Sequence, residues 1–349
     1  MTPTNGRPAV MADVARLAGV SHQTVSRVLN HHPNVRPETR DRVLAAISEL
    51  SYRRNALARG LVRRRSRVLG VVSFDTTLFG PASTLYGIER AARAAGYWVS
   101  IATLERIDRA GVLAAVDALA EQSVEGVIII APQLEAAGAL HSLPAGLPAV
   151  AVEAGLDGGA PVVGVDQVAG ARLAVEHLLA LGHRTVWHIA GPPDWLEARD
   201  RVEGWRAALR DAGRPVPAMI AGDWSARSGY AAGQALAQQA DVTAVFAAND
   251  QMALGLLRAL HERGVRVPGE VSVVGFDDIP EAEFLIPPLT TVRQDFDEVG
   301  RRSMAALLRL LELADGPDTT SEVAAVAPTL VERGSTAPPE PVRSTEDTL

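Results

Sequence analysis

The sequence predicts an α/β protein in two unequal parts: a small, basic, helical head and a large body of parallel sheets covered by helices. Three observations predict it. Residues 1–66 hold 12 arginines against the four acids Asp13, Glu38, Asp41 and Glu49, a net of +8, whereas residues 67–349 hold 22 arginines against 37 acids, a net of −15. The head shows short amphipathic helical periods, with Val25, Val28 and Leu29 at i, i+3 and i+4. From Val68 onward, runs rich in valine and isoleucine alternate with helical ones, the pattern of parallel strands buried on both faces.

The composition excludes several chemistries. At 349 residues the chain is long enough for two or three domains with a substantial core. It contains no cysteine, so disulfides, thiolate zinc sites and cysteine nucleophiles are ruled out. All 34 basic residues are arginine, which rules out a pyridoxal Schiff base and a Walker phosphate loop, both of which need a lysine amine. No G-x-G-x-x-G follows a strand, so no dinucleotide cofactor is expected, and His177, His183 and His188 do not form a metal site by their spacing. The segment "MTPTNGRPAVMADVARLAGV" has no apolar h-region, and no stretch approaches an uncharged membrane span. The expectation is a soluble cytoplasmic protein with no membrane partner.

In the head, Met11–Ala18 reads as a helix with Val14, Leu17 and Ala18 inward, followed by a turn at Gly19-Val20. Ser21 suits the N-cap of a second helix, His22 to about Leu29, with its hydroxyl accepting from the backbone N–H of Gln23 or Thr24. Pro37 suits the first position of a third helix carrying Val43, Leu44, Ile47 and Leu50, behind the weaker cap Arg36. Residues Ser51–Arg67, "SYRRNALARGLVRRRSR", are too charged for a core and read as a linker.

In the body, strand-like runs include "VLGVVS", "YWVSIAT", "VEGVIIIA", "PAVAVEA", "PVVGVD", "TVWHIAG", "MIAGDW", "TAVFAAN" and "VSVVGF". Helical runs include Leu85–Ala95, Val168–Leu181, Val202–Ala212, Gly229–Gln239 and Met252–Arg263. About 270 residues of alternation exceeds one doubly wound domain, so two similar lobes are expected. Ligands of such sheets bind beyond the carboxyl ends of the strands. Residues 335–349, rich in Pro, Ser, Thr and Glu, read as a disordered tail without heptads.

Two helices joined by the tight Gly19-Val20-Ser21 turn fit a helix-turn-helix, although a generic helical hairpin has the same outline. The basic balance and the polar ridge of His22, Gln23 and Arg27 favour DNA, since Gln pairs bidentately with adenine and Arg with guanine in the major groove. In the body, Trp224 directly follows a strand, and Arg201, Asn249, Asp277 and Gln294 lie at strand or helix ends. Aromatic faces and planar bidentate partners are what a sugar requires. Taken singly, Asn249 could be a helix cap, Asp277 a turn residue and Arg201 half of a surface ion pair. The neighbouring acids Asp277 and Asp278 project differently and have no identifiable second acid, so glycosidase chemistry is not expected.

The stretches "ADVARLAGVSHQTVSRVLN" and "TRDRVLAAISELSYRRNALARGL" resemble the headpiece and hinge of the LacI/GalR family of transcriptional regulators. The resemblance continues through Ala174–His183, "RDRVEGW", "GDWSARSGY", "AANDQMALG", Val271–Asp278 and "PPLTTVRQDF". It implies a helix-turn-helix headpiece (1–52), a hinge (53–67) and a two-lobed, periplasmic-binding-protein-like core of parallel sheets (68–334). Lobe 1 would comprise about 68–165 and 293–323, and lobe 2 about 166–292 and 324–334. It implies base reading by His22, Gln23 and Arg27, with His22 departing from the tyrosine of the pattern. Phosphate contacts would come from Ser21, Thr24, Asn30, Thr39, Tyr52 and Asn55, and the hinge would place Ala58 and Leu61 in the minor groove. Sugar contacts would come from Leu78, Pro81, Glu153, Arg201, Trp224, Asn249, Asp277, Gln294 and Phe296. Phe74 replaces a small serine of the pattern and would stack on the sugar or narrow the pocket.

The resemblance thus implies a non-enzymatic, homodimeric repressor that binds a pseudo-palindromic operator and is released by a small sugar, with a β-galactoside as the first expectation. Another sugar, or action with a corepressor, is the alternative within the family. A sugar-binding transport protein is the alternative outside it, and its signal peptide and lack of a basic head are the reverse of what is found. Since residues 335–349 lack heptads, dimers rather than tetramers are expected.

Overall fold

The computed structural model describes residues 9–30, 32–52, 66–104, 108–130, 132–144, 146–153, 160–239, 241–312 and 323–340. The chain divides into two compact units, residues 1–66 and 67–349. The hinge positions Asn55, Ala58 and Leu61 lie outside the described residues.

The first unit contains α1 (Met11–Ala18), α2 (His22–Leu29) and α3 (Pro37–Glu49). Gly19 ends α1 at φ +63°, a left-handed conformation that favours glycine, and Val20 N donates back to Ala15 O at 3.0 Å. A Cβ at Gly19 would meet nothing within 4 Å, so conformation rather than space demands glycine there. Ser21 caps α2, its Oγ accepting from Thr24 N at 3.1 Å. Val14, Ala15, Ala18, Val25, Val28, Val43 and Ala46 form the buried core, flanked by Ile47, Leu50 and Tyr52. Two expected core residues prove to lie outside it: Leu17 is 46% exposed and Leu44 50%. With helices of this length the buried stripe is narrow, and each of these leucines falls just beyond it.

The second unit holds two six-stranded sheets. The first contains β1 (Val68–Phe74), β2 (Trp98–Leu104), β3 (Val127–Ile130), β4 (Ala149–Val152), β5 (Val162–Val165) and β11 (Val323–Val326), in the order β11-β5-β4-β3-β1-β2 and wholly parallel. The second contains β6 (Trp187–Ala190), β7 (Ile220–Ala221), β8 (Ala244–Ala247), β9 (Ser272–Asp277), β10 (Thr290–Arg293) and β12 (Thr329–Val331), in the order β12-β10-β9-β8-β6-β7. It is parallel except where β12 runs antiparallel to β10. Helices α4 (Phe79–Ala94), α5 (Arg109–Glu121), α6 (Leu134–Leu140) and α11 (Phe296–Glu312) serve the first lobe. Helices α7 (Gln167–Ala180), α8 (Leu196–Asp211), α9 (Ala226–Leu236) and α10 (Asp250–Glu262) serve the second.

The chain crosses between the lobes after β5, after β10 and after β11. Two of the expected boundaries shift as a result. Strand β11 pairs with β5, so the first lobe runs to Val326 rather than 323. The expected tail does not begin at 335. Ser335 is fully buried, its Oγ donates to Val273 O at 2.6 Å and accepts from Thr290 N at 2.8 Å, and Ala337 N donates to Ser272 Oγ at 3.0 Å. Small hydroxyl and proline residues do not exclude order when the starts of two strands, here β9 and β10, supply the partners.

Candidate functional site

In the headpiece, α2 presents two faces. Val25 and Val28 are buried, whereas His22, Gln23 and Arg27 are exposed, and Arg27 has no ion pair among the described residues. Ser21 and Asn30 are exposed, and Thr24, Thr39 and Tyr52 are half-buried. The Ser21 and Thr24 hydroxyls lie 2.9 Å apart, and Asn30 closes the helix with Nδ2 donating to Ser26 Oγ at 3.4 Å. The expected ridge is therefore free for a partner, and its flanking hydroxyls are fixed by the cap.

In the body, a cavity of about 630 Å³, including its open mouth, lies between the lobes where the strands end. Seven expected ligand residues line it: Leu78 and Pro81 from the first lobe, and Arg201, Trp224, Asn249, Asp277 and Gln294 from the second lobe and the crossover. Each polar member is held by its neighbours. Asn249 caps α10, its Oδ1 accepting from Met252 N at 2.9 Å, while its Nδ2 donates to Trp224 O at 3.0 Å. It is a helix cap, and as such it fixes the backbone of Trp224, which sits at φ +70°.

Arg201 is only 2% exposed, so it is no surface ion-pair partner. Its Nε donates to Gln167 Oε1 at 2.9 Å, and its Nη1 donates to Ala248 O. Its Nη2 lies 3.8 Å from Asp277 Oδ1 and 3.9 Å from Glu197 Oε2. The guanidinium stacks 3.9 Å from the centroid of Phe276 and 5.4 Å from that of Trp224. Gln294 donates from Nε2 to Asp277 Oδ1 at 2.6 Å and accepts from Gln167 Nε2 at 2.9 Å.

Three expected residues do not line this cavity. Phe74 is not among the lining residues, and its ring lies 6.0 Å from that of Trp195, which is. Glu153 is buried beneath, with Oε1 accepting from Val165 N at 3.2 Å. Phe296 stands one layer out, edge-on to Phe79 at 5.9 Å, and borders an adjoining hollow with Gln294. Others line the cavity unexpectedly, chiefly Trp195, Glu197 and Phe79. The signal for Trp195 and Glu197 was "DWLEA", an aromatic and an acid at the start of a helix that follows a strand, the position where such sheets bind ligands.

Electrostatically, three carboxyls surround one guanidinium. Burial pushes Asp277 up to about 6, against the opposing pull of Arg201 and Gln294. Burial, reinforced by the charge of Glu197, pushes Glu153 up to about 8. Burial pushes Glu197 up to about 7, with Arg201 opposing and Asp277 and Asp200 reinforcing. Asp278 turns away from this cluster, bound by Arg293 at 2.6 Å and Arg333 at 2.7 Å, so the Asp277-Asp278 pair offers no acid–base couple. The three histidines are separately engaged: His177 with Thr336, His183 with Thr243 and Ser272, and His188 with Phe246 O. Among the described residues no group of three or more ligating side chains is placed to hold a metal ion, and no helix is long and apolar enough to cross a membrane.

Residues 10–55 match the bacterial regulatory proteins of the lacI family, and residues 175–336 match a periplasmic binding protein-like domain. The chain is 39% identical over 307 residues to the lactose operon repressor of Escherichia coli (strain K12), covering 87% of this chain and 85% of that one. The chain belongs to the lacI family. This lacI-family chain is a DNA-binding transcriptional repressor with a periplasmic binding protein-like domain. A crystal structure of the lac repressor dimer bound to operator and the anti-inducer ONPF matches it with a TM-score of 0.87 at 36% identity, covering 95% of this chain and 100% of that one. A complex of the transcriptional regulator CelR with cellobiose matches with a TM-score of 0.68 at 33% identity, covering 94% and 99%.

Proposed function

We propose that this chain is a dimeric repressor that binds a pseudo-palindromic operator through α2 and is released from it by a β-galactoside held in the interlobe cavity. His22, Gln23 and Arg27 read base edges. Ser21, Thr24, Asn30, Thr39, Tyr52 and Asn55 contact phosphates, and Ala58 and Leu61 enter the minor groove. The observation that carries the sugar reading is the convergence of Arg201, Asn249, Asp277 and Gln294 around the Trp224 ring in a single cavity. A sugar offers hydroxyls to the first four and a C–H face to the indole. Glu153 and Phe296 support this wall from behind and beside it, and Phe74 supports Trp195.

Exposed Trp98 and Ile101 on the edge strand β2, with Tyr86, Leu254, Phe284 and Ile286, supply the apolar surface for a second copy. Two copies place two headpieces on two half-sites, so operator symmetry mirrors protein symmetry. A sugar releases the operator only to the extent that it binds the two arrangements of the dimer with different affinity.

A second reading, a β-linked glucoside such as cellobiose, is favoured by Trp195. Its ring meets Trp224 edge-on at 5.6 Å and adds a second aromatic wall, and the chain is similar to CelR. The test is operator binding, followed by fluorescence anisotropy, with lactose, cellobiose and ribose added in turn. Release by lactose alone supports the galactoside, and release by cellobiose alone supports the glucoside. Tighter operator binding in the presence of a sugar would make it a corepressor and overturn the induction reading.

A further inference from the structure

Glu197 lines the cavity without a hydrogen bond from the described residues. Its side chain is 16% exposed, yet among the described residues no donor lies within hydrogen-bond range of its oxygens, and its nearest cation, Arg201 Nη2, is 3.9 Å away. A carboxylate withdrawn from water without donors is costly, whereas the same group is an excellent acceptor for paired hydroxyls. A second group in this wall also lacks a partner: the indole N–H of Trp224, a residue only 6% exposed, has no acceptor.

Glu197 also sits on a clasp between the lobes. Leu196 N donates to Pro132 O at 2.8 Å, Leu134 N donates to Asp194 O at 3.2 Å, and Trp195 pairs with Gln133 in an antiparallel bridge. The position of Glu197 is therefore set by the meeting of the two lobes.

We propose that Glu197 is a specificity-determining residue of this cleft, its carboxylate accepting two hydroxyl hydrogen bonds from one glycosyl ring of the effector. This rests on the reading of the cavity as a sugar site. Arg201 and Asp200 face Glu197 from its own helix, Asp277 from the end of β9 and Glu153 from the end of β4. Three of these four are acids, so the free cleft favours the protonated form of Glu197, with its titration near pH 7. Hydroxyl donors favour the ionised form, so binding expels a proton and tightens as pH rises through that range.

The test is calorimetric titration of the full-length dimer with lactose and with cellobiose at pH 6, 7 and 8, in two buffers of different ionisation enthalpy, for wild type, Glu197→Gln and Glu197→Ala. Expected results are proton release by the wild type at pH 7, tighter binding at pH 8 than at pH 6, and at least a tenfold rise in Kd with less proton release at pH 7 in Glu197→Gln. Thermal unfolding of Glu197→Gln at or above the wild-type midpoint shows that the loss is not one of folding. Sugar binding by both variants with wild-type Kd and pH profile overturns the assignment while leaving the sugar site standing. A wild-type dimer that binds operator but neither sugar overturns the sugar reading and this assignment with it.

Discussion

Gln294 Nε2 donates to Asp277 Oδ1 at 2.6 Å, which ties a crossover between the lobes to the acid at the floor of the cavity. Gln294 is tied in turn to Gln167, at the start of the first crossover, and Gln167 accepts from Arg201. Two of the three interlobe crossings thus meet at the ligand wall, so a group bound to Asp277 and Arg201 acts on the segments that set lobe geometry. Gln294→Ala removes one donor from a buried carboxylate, a change worth roughly 1–3 kcal/mol. It should weaken sugar binding by about tenfold or more and blunt operator release, read by calorimetry and anisotropy. Unchanged sugar affinity would separate this tie from the ligand.

The acid cluster predicts a pH-dependent stability. Burial raises Glu153 to about 8 and Glu197 to about 7, so the folded chain holds protons that the unfolded chain has lost. That stability is fully present below the unfolded carboxyl range, near pH 4.5, and is lost as pH rises through 7 and 8. His188, lowered to about 3 by burial, acts in the opposite sense, its contribution being lost as pH falls below 6.5. The carboxyl loss therefore runs from about pH 4.5 up to about 8 and levels off above it, and between pH 6.5 and 8 it is no longer offset by His188. Stability to denaturant should fall there, by at most about 1.4 kcal/mol per pH unit for each proton. Replacing both with glutamine should make the decline shallower, with buried Asp250 and Asp277 still contributing to it, and a wild-type curve that rises over this range would contradict the cause.

Helices α4 and α11 meet at two glycines. A Cβ on Gly87 would lie 2.4 Å from Phe296 O, and one on Gly300 would lie 2.2 Å from the carbonyl carbon of Gly87. Gly300→Val should cost about 3 kcal/mol or more, since backbone cannot yield as a flexible side chain can. Because α4 begins beside the cavity-lining Leu78 and Pro81, sugar affinity should fall with it. Thermal unfolding and sugar titration of the variant check both outcomes.

In the headpiece, stability and reading should separate. Ser21→Ala removes the cap on Thr24 N and should cost about 1 kcal/mol of headpiece stability. Arg27→Ala touches no core residue and should leave stability unchanged while losing roughly 1–3 kcal/mol of discrimination at one base pair. Binding measured on operator and on scrambled DNA distinguishes the two. Equal loss on both by Arg27→Ala would make it a phosphate contact.

Much of this was legible from residue order alone. The helix-turn-helix was readable because its signals are local: Gly19 for a left-handed turn, Ser21 for a cap, and Val25 with Val28 for the buried stripe. The alternation of β1, β3 to β6, β8 and β9 was readable because buried strands are runs of small and branched apolar residues, whereas β2 and β7, expected to be buried on both faces, lie at sheet edges with exposed residues such as Trp98 and Ile101. Strands β10, β11 and β12 escaped that alternation. "TTVR" and "TLV" carry too few apolar residues, and β11 owes its place to pairing with β5 from far along the chain. Leu17 and Leu44 show the limit of periodicity, which identifies an apolar residue without fixing the width of the face it joins.

The sequence by itself determined that a basic helical head precedes an acidic α/β body, and that lysine and cysteine chemistry is absent, because composition and short-range period carry that information. Its pattern also picked out Arg201, Trp224, Asn249, Asp277 and Gln294. Only the tertiary structure decided that these meet in one cavity, that Phe74, Glu153 and Phe296 do not line it, and that Trp195 and Glu197 face into it. Those assignments depend on which strand ends lie side by side when the chain crosses three times between the lobes. Proximity of that kind is set by packing across the whole body, not by neighbours in the chain.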